Sequence, residues 1–155
     1  MTNQCKSCQG DPAIKITLDG AIMQFIGGQP IMDSGLENAV QISLFTKKGW
    51  FGNAFLKQNN QKIGSDFENK SYGPINIDSI NNIEDAATNA LKWLSDSKVT
   101  KTIDVTVTNP KADYIKTNVV IQPNANDITE LEFLKHGQNW INQSRQPAHE
   151  RFTEE

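Results

Sequence analysis

Met32-Asp33-Ser34-Gly35-Leu36-Glu37-Asn38-Ala39-Val40-Gln41-Ile42-Ser43-Leu44-Phe45-Thr46, running on to Gly49-Trp50-Phe51-Gly52-Asn53, is the stretch on which the reading of the fold turns. Ser34 and Glu37 have the S-x-x-E spacing in which a hydroxyl and a carboxylate satisfy each other's backbone donors at a helix start. The spacing predicts a helix from Ser34 to Thr46. Leu36, Ala39, Val40, Ile42 and Leu44 gather on one broad face, with Glu37, Asn38 and Gln41 opposite. The aromatic turn that follows has the chemistry of packing. Nothing in the stretch has the make-up of a nucleophile, a base or a ligand cluster.

Upstream, Ile14, Ile16 and Leu18 alternate with Lys15 and Thr17, the period of a half-buried strand that ends at Asp19-Gly20. A second strand is expected from Ile22 to Ile26, broken by Gly27-Gly28-Gln29-Pro30. Downstream, residues 47 to 77 are rich in Gly, Asn, Gln and Lys and carry Trp50, Phe51, Phe55, Phe67 and Tyr72. Loops of that length are functional or disordered more often than mere connectors, and the aromatic residues argue for order. An ordered excursion lying against the domain or a neighbour is expected. Asn76-Ile77-Asp78-Ser79 then opens a second helix whose stripe is Ile80, Ile83, Ala87, Ala90, Leu91 and Leu94, with Trp93 off it. Ile103, Val105 and Val107, then Ile115, Thr117, Val119 and Ile121, alternate around the turn Asn109-Pro110-Lys111-Ala112-Asp113 and predict an antiparallel hairpin. Ile128 to Leu134 adds a third strand.

The expected fold is therefore α+β, with two helices packed on one mainly antiparallel sheet. Its divisions are a lead-in at residues 1–11, a single domain at 12–135 and a polar tail at 136–155. A chain of 155 residues suits one core. The apolar fraction is 37% and the mean hydropathy −0.53. Both are low for a compact enzyme. The excess of Asn and Gln fits surfaces meant to be covered in an assembly, and fits equally an AT-rich genome.

The net charge of −3 comes without a Lys/Arg cluster, which argues against a nucleic-acid footprint. No apolar run reaches the ~18 residues of a membrane span, and Met1-Thr2-Asn3-Gln4 does not open a signal peptide. A soluble chain made in the cytoplasm is expected. Cys5 and Cys8 have C-x-x-C spacing, but His136 and His149 lie near the other end, so two free thiols on a polar terminus are expected in place of a metal or redox site.

Three residue patterns bear on catalysis. Asp33 and Glu37 are the carboxylate pair a glycosidase would need, yet both fall at the helix start, where their charge suits the helix dipole. Ser43 lacks the G-x-S-x-G elbow of an exposed nucleophile, and neither histidine has an acid at a telling distance. Gly27-Gly28 has no following lysine and no helix at its end, so it is not a phosphate cradle. The chain is read as a non-enzyme with no cofactor and no metal. For binding, Trp50 and Phe51 sit between Gly49 and Gly52, and adjacent rings diverge, so one can plug the core while the other anchors a partner. Phe55 and Trp93 join them as candidate interface residues. The outward positions of the hairpin, Tyr114, Lys116, Asn118 and Val120, form a second candidate surface, and the last strand of a meander leaves an edge that a partner can extend.

The run Asp33, Gly35, Leu36, Ala39, Val40, Ile42, Leu44, Phe45 and on to Gly52 resembles the signature of the small Mu-type phage baseplate protein, the gene-product-forty-six family. That family is similar to the small wedge subunit of T4-type contractile tails. The resemblance extends through Ala86-Ala87-Ala90-Leu91-Trp93-Leu94 and Ile103-Asp104-Val105-Thr106-Val107, covering residues 12 to 122. It implies a structural component of the baseplate wedge in a contractile phage tail, one copy per wedge in a six-fold assembly and a monomer when isolated. The implied partners are the larger wedge proteins and the tail sheath protein, with the helix 34–46 on the core and wedge side and the hairpin 103–121 as the sheath-facing edge. The implied location is the host cytoplasm during assembly and then the virion tail baseplate. Lys47-Lys48-Gly49-Trp50 stands where the T4-type pattern has a Glu-Pro-Arg triplet, so residue contacts do not carry over. The competing classes are a stand-alone binding module such as an immunity protein, and a cell-wall glycan hydrolase.

Overall fold

The computed structural model describes residues 10–33, 36–123 and 128–143. Its main layer is a four-stranded antiparallel sheet. β1 (Asp11–Pro12) through β6 (Met32–Asp33) precede that sheet as short strands, α1 (Glu37–Phe45), α2 (Phe67–Lys70) and α3 (Ile77–Asp96) form the helical layer, and β7 (Thr100–Thr108), β8 (Tyr114–Pro123), β9 (Thr129–His136) and β10 (Asn139–Asn142) make the sheet in the order β10-β9-β8-β7. The architecture is α+β, as the alternation of patterns predicts.

α3 starts as its sequence requires. Asn76 accepts from the Ser79 N–H at 2.8 Å, and the Ser79 hydroxyl takes the Asn76 N–H at 2.8 Å, a reciprocal cap. The helix buries Ile83, Ala87, Leu91 and Leu94 against Val107, Ile115, Val119, Ile121, Leu131 and Phe133 of the sheet. Each large side chain so buried contributes about 1.5–3 kcal/mol before entropy. β8 alternates half-buried and buried along its length, as a central strand with one covered face must.

The sheet has a strand inside residues 136–155, where a polar tail is expected. β10 pairs with β9 in the register Trp140↔Lys135 and Ile141↔Leu134, and Trp140 is buried. Its ring meets Phe45 at 5.9 Å and Phe67 at 4.8 Å between centroids, and Phe45 also meets Phe133 at 5.4 Å. Phe67, expected among the loop aromatics, is thus a core residue.

The N-terminal strands do not join this sheet. β2 (Ile14–Thr17) pairs with β3 (Gly20–Met23), β4 (Phe25–Ile26) with β5 (Gln29–Pro30), and β1 with β6. The three hairpin arms meet where Ala13 N–H donates to Ile31 O (2.7 Å), Ile31 N–H to Gln24 O (2.8 Å) and Gln24 N–H to Ala13 O (3.3 Å), a closed ring of backbone bonds. Gly27 and Gly28 have φ of 58° and 79°, so they form the tight two-residue turn of the β4–β5 arm.

α1 differs most from expectation. Ser34 and Gly35 lie outside the described residues, and the first-turn N–H of Asn38 is taken at 2.7 Å by the buried Asp33 carboxylate. Asn38 and Gln41, expected on the polar face, are buried, while Ile42 is exposed. The amides are turned to β2. Asn38 accepts from Ile14 N–H (2.9 Å) and donates to Pro12 O (2.9 Å); Gln41 accepts from Ile16 N–H (3.3 Å) and donates to Ile14 O (2.9 Å). One helical turn apart, the two side chains supply the donor and acceptor sequence of a neighbouring strand. Buried backbone groups need such partners.

Candidate functional site

The segment after α1 leaves the body and returns at one neck. Ser65 N–H donates to Thr46 O (2.8 Å), the Ser65 hydroxyl donates to Leu44 O (2.6 Å), and Lys47 bridges Ser65. Gly64 passes so close that a Cβ there would lie 2.9 Å from Lys47 O and from Lys48 Cα, and its φ is +132°. Only glycine closes this neck without strain. Lys47 pairs with Glu68 at 3.8 Å and Lys48 with Asp66 just beside it.

Inside the lobe, Phe51–Phe55 is a 3₁₀ turn. Asn53 holds it to the returning segment: its amide donates to Ile63 O (2.6 Å) and accepts from Ile63 N–H (3.0 Å). Trp50 folds back over Gly52, where any Cβ would fall 2.2 Å from the indole, and its ring lies 5.5 Å from that of Phe51. Phe51 is 77% and Phe55 79% exposed. A backbone fixed this firmly with two large rings turned to solvent is a preorganised apolar surface.

Trp93 lies beside it on α3. Its indole N–H donates to the Ser43 hydroxyl at 2.9 Å, which in turn donates to Ala39 O at 2.7 Å. Ser43, Lys62, Ile63, Ala90, Trp93 and Asp96 line part of an open cleft of about 780 Å³ between the lobe and α3.

The four hairpin residues are elsewhere. Tyr114, Lys116, Asn118 and Val120 occupy the face of β8 opposite the helical layer, and the structure does not join them to the lobe. Lys116 pairs with Glu132 at 3.0 Å, Asn118 donates to Glu130 at 2.9 Å, and the Tyr114 ring stacks on His136 at 4.3 Å. On the side of β7 away from β8, which no other strand pairs among the described residues, the Val107 N–H donates to the Glu84 carboxylate of α3 at 3.0 Å. Ladder alternation turns the same groups of Ile103 and Val105 outward.

Among the signature positions, Val40 and Leu44 are in the core, and Leu36, Ala39 and Phe45 pack against it. Cys5, Cys8 and His149 fall outside the described residues. Among the described residues no three His, Cys, Asp or Glu side chains gather as a metal site requires, and no helix is long and apolar enough to cross a membrane. Burial holds the Lys135 ammonium below the usual lysine range; it donates to Ser71 O at 2.8 Å and lies 5.3 Å from the Tyr72 ring centre. Partial burial and the Glu68 carboxylate raise the Tyr72 phenol.

Sequence reasoning missed Asn53, Gly64 and the amide pair Asn38/Gln41. An Asn followed three residues later by Gln inside a helical stripe was the available signal, and it reads as polar surface by hydropathy alone.

No family model matches the chain, and no solved structure matches it. It is similar to the Mu-like prophage FluMu protein gp46 of Haemophilus influenzae, 27% identical over 97 residues that span 59% of this chain and 70% of that protein. A chain whose described residues form an α+β body with an exposed aromatic lobe is similar to a protein of a Mu-like prophage.

Proposed function

We propose that this chain is a structural subunit of the baseplate wedge of a contractile phage tail, joining larger wedge proteins and offering the β7 edge to the sheath. It performs no catalysis. The observation that carries the reading is the lobe at 47–64, whose neck and Asn53 bonds fix Phe51 and Phe55 in an exposed position with no role in the core. Rings held this way lose little entropy when a partner covers them. Similarity to a protein of a Mu-like prophage supports a role in a phage particle, and in this reading the partner is another tail protein. Asp33, half of the carboxylate pair a glycan hydrolase would need, is buried and accepts from the first-turn Asn38 N–H of α1, which supports a structural role for it. In this reading the chain is made in the host cytoplasm and ends in the tail baseplate.

Gel filtration with the larger wedge protein encoded beside it tests this. Co-elution is expected. A chain that stays alone favours a free-standing module, and glycan release that is lost on Glu37→Gln would establish an enzyme instead.

A further inference from the structure

The lobe carries a charge opposite to that of the chain. Residues 47 to 63 hold Lys47, Lys48, Lys57 and Lys62 and no acid, within a chain of net charge −3. Lys47 and Lys48 are neutralised at the neck by Glu68 and Asp66. Lys57 and Lys62 are exposed, and neither has an ion-pair partner among the described residues. Lys57 follows Phe55 by two residues, and Lys62 adjoins the Ile63 backbone that Asn53 clamps. Lys57 thus lies two residues from the exposed Phe55 ring, and Lys62 lies on the returning arm of the same lobe, where it lines the cleft with Trp93 and Asp96.

From this we propose that the lobe docks on a partner protein whose surface carries carboxylates around an apolar recess. The proposal rests on the lobe being an interface, as argued above, and adds the chemistry of what covers it. Charge complementarity decides the occupant. An acidic partner is repelled by the net-negative remainder of the chain and attracted at the lobe, where four lysines stand without an acid, so the same charges that speed encounter also favour one orientation. A nucleic acid fits less well. Phosphate-tracking surfaces draw on about six to ten contacts, whereas two lysines are free here, and both arginines of the chain, Arg145 and Arg151, lie outside the described residues.

The photoreactive residue p-benzoylphenylalanine, placed at Phe55 and, as a control, at the exposed Asn82, tests the proposal in cells producing the particle. Cross-linked peptides are then mapped by mass spectrometry. The expected product joins position 55 to a protein segment with more Asp and Glu than Lys and Arg. Its yield should fall about tenfold in Lys57→Glu/Lys62→Glu and stay unchanged in Lys57→Arg/Lys62→Arg, which also shows that the lobe folds. A neutral or basic segment, an adduct to nucleic acid or lipid, a yield no higher than at Asn82, or a yield indifferent to charge reversal would each overturn it. An acidic partner that is no tail protein would refute the baseplate reading and keep this one; a neutral face on a tail subunit would do the reverse.

Discussion

The helix-on-sheet half of the molecule uses apolar residues in one way, and the N-terminal junction and the lobe at 47–64 use them in the opposite way. α3 and β7–β10 turn Leu91, Leu94, Val119, Leu131 and Phe133 inward and leave them essentially without exposure. Strands of two to four residues in the junction cannot cover both their faces, and Leu18, Ile22, Met23, Phe25 and Ile26 face solvent. Phe51 and Phe55 do the same in the lobe. Long ladders and one long helix generate the stability. Short hairpins and a closed loop, fixed by polar bonds, generate surface. One chain thus separates the part that buries its apolar residues from the part that exposes them.

The largest expected effect lies in the first half. Phe133→Ala should lower unfolding free energy by about 3–5 kcal/mol in urea titration, because a large buried ring leaves a cavity among Phe45, Val119 and Leu131. An effect near 1 kcal/mol would erase the distinction between the halves. Gln41→Ala should come next, at about 1–3 kcal/mol, since it strips partners from Ile14 O and Ile16 N–H. Hydrogen exchange should show that loss concentrated in β2. Exchange spread evenly over the sheet would mean the junction is not separately held.

Lys135 sharpens the comparison through pH. Its folded pKa lies below the ordinary lysine value, so between the two the unfolded chain binds more protons, and stability from this group rises as pH climbs through that interval. Below the folded value the ammonium is charged in both states and its burial opposes folding. Lys135→Met should flatten the alkaline rise in melting temperature; an unchanged profile would show the group is solvated. The smallest effect is expected at the junction tip, where Phe25→Ser with Ile26→Ser should change stability by less than about 0.5 kcal/mol.

How far this was legible in sequence follows the same division. α3 could be read from Asn76 to Leu94 because the cap and the helical period agree, and β7 and β8 because alternation persists over eight residues or more. β10 was hidden because Gly137-Gln138-Asn139 and Asn142-Gln143 surround Trp140 and Ile141 with polar residues, although the pair completes the sheet. On α1 the hydropathy pattern pointed Ile42 inward and Asn38 and Gln41 outward, the reverse of the fold. A buried amide bonded to a strand edge carries the same sequence signal as a solvated one. The aromatic lobe was visible as Trp50, Phe51 and Phe55, but its rigidity depends on Asn53 meeting Ile63 ten residues on, a contact that no local pattern encodes.

The central claim is that the lobe's rings exist for a partner and not for the fold. The direct measurement pairs thermal unfolding with gel filtration against the larger wedge protein for Phe51→Ser/Phe55→Ser. The account predicts a melting temperature within a few degrees of the parent and loss of the complex. A complex that survives, or a chain that unfolds many degrees earlier, would contradict it.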